Sequence, residues 1–241
     1  MALPTPVRRM LGRMFEDAIR ANERAIVELA RLAAKGRGNA TLCDLGCGDG
    51  RLTAEVAEKI GARDVVVVET HPPNVESVRA KGFTVEQCDL NGRLNLPADA
   101  FDIVLSNQVI EHLYDTDVFL DELFRITKPG GTAIVSTENA ASWHNIGSLV
   151  VGWQPFSLTN ITGKEGGVGN PFAFFSGQEG ALFPMQHHRI VTLRALLELL
   201  RLHGFTITTT RGAGYYPLPS ALGNLDRTHA HFITASAQKP A

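Results

Sequence analysis

Gly46, Gly48 and Gly50 alternate between the apolar run TLCDL at 41–45 and the stretch GRLTAEVAEKIG at 50–61. A strand, a glycine-rich turn and a helix in that order bring backbone close to a ligand at the carboxyl end of a sheet. A dinucleotide fingerprint requires its third glycine at 51, where this chain has Arg51. That glycine normally lets a pyrophosphate rest on the helix N-terminus. Asp49 stands in the same turn, and a carboxylate repels phosphate. No glycine-rich segment ending in Gly-Lys-Ser or Gly-Lys-Thr occurs, which removes a P-loop as a sequence match. Beyond the turn, Glu69 ends the run VVVVE and offers a carboxylate that accepts two hydroxyl protons at once.

Histidine is the side chain that exchanges protons near neutrality, so the histidines are the candidate bases. His112 follows the run FDIVLSN, and His187 and His188 stand in QHHRIVT just before a helix. His144, in STENAASWHN, is a weaker candidate. His229 and His231 alternate on the last expected strand and are read as structural residues of an edge strand.

DLGCGDG at 44–50 with Glu69 at the end of the next strand resembles the class I S-adenosylmethionine-dependent methyltransferases. SNQVIEHL and KPGGTAIVSTEN look like the small-molecule branch of that family. The resemblance covers residues 40–140 well and 190–237 less closely, and leaves 140–189 uncovered. It implies S-adenosyl-L-methionine as cofactor. Asp44, Gly46, Cys47 and Gly48 would cradle its amino-acid tail, and Glu69 with Thr70 would meet the ribose. Asp89 and Leu90 would lie by the adenine, and Asn107 and Gln108 would complete the site. Some family members carry two acids and a histidine after the fourth strand and bind a divalent ion. Here Gln108 replaces the first acid, and an amide is a poorer ligand for a hard cation. Glu111, His112 and one of His187 or His188 remain as a candidate magnesium site, and no metal is assigned.

The implied reaction is methyl transfer to a small molecule, with His112, His187 and His188 as candidate bases. The acceptor is expected to be a hydroxyl, on a sugar or a phenolic natural-product intermediate. Amine or carbon acceptors stay open. So do two readings of other kinds, a nicotinamide-dependent oxidoreductase and a cofactor-binding module without catalysis.

The remaining pattern must position these residues. Apolar runs at 41–45, 65–69, 83–88, 101–107 and 132–139 alternate with helical patterns at 50–61 and 74–82 and from 116 to just before Gly130. That order specifies a Rossmann-like, doubly wound α/β sheet in three αβα layers. Two alternating runs at 205–211 and 229–237 add an antiparallel C-terminal hairpin. Thr116 is the expected N-cap of the third of these helices, and Thr192 that of a helix at 191–204. Residues 14–35 repeat apolar side chains at helical spacing. The expected organisation is one domain over 1–241, with an N-terminal helical extension at 1–38 and a lid-like insertion at 140–189. The insertion holds Trp143, Trp153, Phe156, Phe172, Phe174 and Phe175, too apolar a set for free disorder.

Composition bounds the class. The 241 residues carry a formal charge of −2 at pH 7, which argues against a nucleic-acid footprint. No apolar run reaches the length a bilayer demands, and the first residues lack a secretory core, so a cytoplasmic protein is expected. Cys43, Cys47 and Cys88 form neither a disulfide framework nor a zinc spacing. The sequence is silent on oligomeric state.

Overall fold

Four successive valines leave a strand no polar face, and β-branched side chains suit the extended backbone. Such a strand belongs inside a parallel sheet. In the computed structural model, which describes residues 5–173, 186–216 and 218–241, they form β2 (Val65–Val68). β2 runs parallel to β1 (Leu42–Leu45) and β3 (Thr84–Glu86), with Leu42 opposite Val65 and Val66 opposite Thr84. β4 (Phe101–Asn107) pairs in parallel with the other side of β1, and β5 (Thr127–Glu138) with β4. The last two strands are β6 (Thr206–Ala213) and β7 (Phe232–Gln238), and the full order is β3-β2-β1-β4-β5-β7-β6.

The order reverses between β1 and β4, so the carboxyl ends of these two strands flank the crevice where such sheets bind ligands. β7 is antiparallel to β5. Gly130 donates to the Lys239 carbonyl near one end, and Asn139 donates to the His231 carbonyl near the other. β7 lies between β5 and β6, and β6 takes the edge. That corrects the expectation that the strand beside His229 and His231 is an edge strand. The antiparallel C-terminal pair itself is present within a sheet flanked by helices, as expected.

The helices are α1 (Thr5–Ala33), α2 (Arg51–Ile60), α3 (Pro72–Ala80), α4 (Thr116–Ile126), α5 (Trp143–Val150) and α6 (Leu193–Leu202). Gly50 precedes α2 at φ 75° and Gly61 closes it at φ 68°. α4 is capped by Asp115, whose carboxylate accepts from the Val118 N–H at 3.0 Å, and Thr116 is its first helical residue. Asp115 displaces Thr116 from the capping role because its side chain reaches the orphan N–H. Thr192 caps α6 as expected, accepting from the Ala195 N–H at 3.2 Å. The irregular stretch expected at 140–189 contains α5. Its eight residues include Gly147 and the branched Ile146 and Val150, which weaken the helical signal. Phe174 and Phe175 lie outside the described residues.

The chain divides into two compact units. One holds residues 23–136, 196–210 and 234–241, and the other 1–22, 137–195 and 211–233. The core of the first joins Ile26 and Leu29 of α1, Leu42 of β1, Val56 of α2 and Ile103 and Leu105 of β4. Each such side chain contributes roughly 1.5–3 kcal/mol by leaving water. At the entry to β1 and β4 in this unit, Asp102 accepts from Arg37 at 2.9 Å, Lys128 at 2.9 Å and the Thr41 hydroxyl at 2.8 Å. The core of the second unit packs Ala18, Ala213 and Phe232 with Phe15, Ile19 and Tyr216. Gly214 sits there at φ 77°, and a Cβ at that position would lie 2.8 Å from the Ala18 Cβ and 2.9 Å from that of His231.

Candidate active site

The glycine turn is built by backbone. Gly46 donates to the Val68 carbonyl at 2.9 Å, which ties the turn to β2. Its φ is 76°, and an added Cβ would meet Val109 Cγ2 at 2.6 Å. Only glycine satisfies both conditions. Gly48, at φ 58°, points its missing side chain into space with no heavy atom within 4 Å.

Glu69 organises this side of the crevice. Its carboxylate accepts from the Gly48 N–H at 2.9 Å and from those of Thr70 and His71 at 2.8 Å each. Asp44 is buried at the end of β1, and its Oδ2 accepts from the Thr53 hydroxyl at 2.6 Å. Burial raises the Asp44 pKa to about 6, against the opposing effect of the Thr53 bond and with a further push from Glu69. Gln108 adopts φ 57°, rare for a residue with a side chain, and its buried Nε2 has no hydrogen-bond partner among the described residues. Such an orphan donor beside a ligand crevice marks a place where a ligand atom belongs. Cys47, Asn107 and Leu90 are half-buried, and Leu90 Cδ1 lies 3.7 Å from the Cβ position of Gly46. Thr70 and Asp89 are exposed, and Asp89 Oδ1 accepts from Asn91 N and Nδ2 at 2.9 Å each. Glu111 and His112 lie on a 3₁₀ turn at Ile110–His112, with Glu111 buried.

The other unit holds a cavity of about 170 Å³, lined among the described residues by aromatic, aliphatic and a few polar side chains. Leu11, Phe15, Phe156 and Phe172 supply apolar surface, and Glu138, His144, Tyr216 and His231 supply polar groups. Glu138 is the last residue of β5. His231 Nε2 lies 3.6 Å from Glu138 Oε1, while His231 Nδ1 lies 3.0 Å from the Tyr216 hydroxyl. Burial on its own would push Glu138 upward, but the bond from His231, the charges of His231 and His187 and the Ser157 hydroxyl hold it at about 2. His144 packs edge-on against His231, with centroids 4.6 Å apart. Burial, aided by His231, keeps His144 well below its usual pKa, so its ring is neutral.

His187 flanks this cavity. Its Nδ1 lies 2.6 Å from the Ser157 carbonyl and 3.9 Å from Glu138 Oε2. A carbonyl only accepts, so Nδ1 carries the proton and Nε2 carries the lone pair. His188 is exposed, with its pKa lowered by partial burial and by Arg189 and His187.

Three pairs of near neighbours divide between the cavity and the surface. On α5, His144 lines the cavity while Trp143 is exposed. After β6, Tyr216 faces inward, and Tyr215 accepts from Trp143 Nε1 at 2.8 Å and donates to Asp226 at 2.6 Å. Before β7, His231 lines the cavity while His229 stacks on Trp143 at 4.2 Å and bonds Asp226.

The sequence reading picked out the glycine turn, Glu69 and His187. It passed over Glu138 and Tyr216, and it set His231 aside as structural. The signal for His231 was the alternation HAHF, whose inward face could be read only once β7 was known to be internal. Glu138 had a signal as well, being an acid at the carboxyl end of a central strand.

A family model described as a methyltransferase domain matches residues 17–210. The chain belongs to the S-adenosylmethionine-dependent methyltransferases. A probable S-adenosylmethionine-dependent methyltransferase of Mycolicibacterium smegmatis is 30% identical to it over 240 residues, covering 99% of this chain and 78% of that protein. The mitochondrial ubiquinone biosynthesis O-methyltransferase of Rattus norvegicus is 24% identical over 213 residues, or 82% of this chain and 54% of that protein. The methyltransferase therefore spans about half the length of the rat relative. The solved S-adenosylmethionine-dependent methyltransferase of Mesorhizobium loti shares the fold at TM-score 0.55 and 22% identity, with 84% of this chain and 92% of that one covered. Among the described residues, no helix is long and apolar enough to cross a membrane.

Proposed function

We propose that this methyltransferase transfers a methyl group to a hydroxyl of a small molecule held in the 170 Å³ cavity, with His187 as the base. The two requirements of the reaction fall to different parts of the chain. The backbone at Gly46 and Gly48, the Glu69 carboxylate and the Gln108 amide fit the amino-acid and ribose parts of S-adenosylmethionine. The open space over Gly48 and the orphaned Gln108 Nε2 support that fit. When bound, this cofactor supplies a methyl group already activated on sulfonium.

The chain's own residues bind the acceptor, keep water away and accept a proton. A hydroxyl is a weak nucleophile until its proton is taken, and a positioned histidine suits that task near neutral pH. The observation that carries the reading is the 2.6 Å contact between His187 Nδ1 and the Ser157 carbonyl. It fixes the tautomer in which Nε2 accepts. Glu138 then stabilises the imidazolium that forms, from 3.9 Å. The likeness to a ubiquinone biosynthesis O-methyltransferase supports an oxygen acceptor.

The test is transfer of labelled methyl from S-adenosylmethionine to a panel of hydroxyl compounds, with and without His187→Ala. Loss of roughly 10²–10⁴-fold in kcat is expected for a hydroxyl acceptor. Turnover undiminished in the variant overturns the role of His187 and favours an amine acceptor.

A further inference from the structure

The cavity distinguishes among hydroxyl-bearing molecules. We infer that its occupant is a single six-membered ring that presents a hydroxyl, separate from the one His187 deprotonates, to Glu138 Oε2 and carries no carboxylate. The inference deepens the proposed function, because it rests on that cavity being the acceptor site.

Size sets the first limit. A cavity of about 150 Å³ accommodates benzene. At about 170 Å³, this one takes one ring and small substituents.

The lining sets the second. Phe15, Phe156 and Phe172 together with Leu11 offer apolar faces suited to a flat ring. A sugar would bury hydroxyls on every side against these walls, and each unpaired one costs binding.

Charge sets the third. Among the described lining residues there is no lysine or arginine, and the one acid is Glu138. His144 is neutral where it sits. An anion entering here would meet the Glu138 carboxylate, and the His231 imidazole beside it is already engaged with Glu138 Oε1, so it is rejected by desolvation and repulsion together.

Glu138 sets the fourth. Its Oε2 is buried and has no hydrogen-bond partner of good geometry among the described residues, with the Ser157 hydroxyl nearby. The nearest imidazole proton, on His187 Nδ1, is directed to the Ser157 carbonyl at 2.6 Å instead. Oε1 faces His231. An ionised carboxylate is an acceptor only, so the group that completes it is a donor, and a phenolic O–H is the donor a small ring carries.

The experiment uses the whole chain without cofactor and three single-ring probes: phenol, benzene and benzoate. Ring-proton NMR signals of His144 and His231 localise binding to the cavity. Phenol is expected to shift these signals and to bind roughly 10-fold more tightly than benzene, since one charge-assisted hydrogen bond separates them. Benzoate is expected to leave them unmoved at concentrations that saturate phenol. Glu138→Gln should bring phenol close to benzene and let benzoate in. The comparison of three probes on the unaltered protein stands even where that variant fails to fold. Benzoate binding as well as phenol, phenol binding no better than benzene, or no shift with phenol overturns the inference. If the binding order holds but no ring hydroxyl in the panel is methylated, the acceptor-site reading falls while the selectivity of the cavity stands. If hydroxyls are methylated while the cavity prefers benzoate, the selectivity falls and the hydroxyl reaction stands.

Discussion

Tyr216 and Glu138 meet opposite nitrogens of one imidazole: the phenol lies 3.0 Å from His231 Nδ1, and the carboxylate lies 3.6 Å from His231 Nε2. The three side chains come from distant segments: Glu138 ends β5, 78 residues before Tyr216, and His231 follows Tyr216 by 15. Together they supply polar groups to a cavity otherwise lined mainly by apolar side chains, and the acceptor reading depends on them.

Glu69→Ala removes a carboxylate that gathers three backbone N–H groups. Charge-assisted hydrogen bonds contribute roughly 1.5–3 kcal/mol each. Affinity for S-adenosylhomocysteine, measured by calorimetry, is expected to fall roughly 10- to 100-fold. Unchanged affinity would remove Glu69 from the cofactor site.

Gly214→Ala forces a Cβ to within 2.8 Å of Ala18 and 2.9 Å of His231 at a φ of 77°. Strained backbone and overpacking each cost about 1–3 kcal/mol. A fall in Tm of at least ~2–4 °C is expected for a chain of this length, read by calorimetry or circular dichroism.

Asp102 governs an acid limb of stability. Burial pulls its pKa up, but the Lys128 bond and charge and the two Thr41 bonds outweigh that and hold it well below the carboxylate range. A depressed folded pKa means stability that is present above the unfolded value of about 3.9 and is lost as pH falls below it. Asp102→Asn should therefore be less stable than the parent at pH 7, with a gap that narrows as pH drops below 4. A gap that does not change with pH refutes this assignment.

Trp143→Phe keeps an aromatic face for His229 but deletes the bond to the Tyr215 hydroxyl. One net hydrogen bond is worth ~0.5–1.5 kcal/mol. The acceptor KM is expected to rise roughly 2- to 10-fold while cofactor affinity holds, as steady-state kinetics and calorimetry will show.

The sequence made the parallel half of the sheet legible because its strands are apolar on both faces, as Val65–Val68 shows. The glycine turn was legible because Gly46 answers a backbone demand that no other residue meets. The cavity was not, for a physical reason. Glu138, His144, Tyr216 and His231 converge through long-range strand order, and no local spacing encodes that β7 inserts between β5 and β6. α5 was hidden by weak helix formers, and the capping role of Asp115 by an equally suitable neighbour at 116.

The paired arrangement of Trp143 with His144, Tyr215 with Tyr216 and His229 with His231 carries an evolutionary corollary. Each of the three inward members, His144, Tyr216 and His231, is tethered through one or two peptide units to a partner on the outside. Drift at the exterior members can therefore retune which compounds are admitted while every wall residue keeps its identity. Screens for altered selectivity should begin at those outward positions.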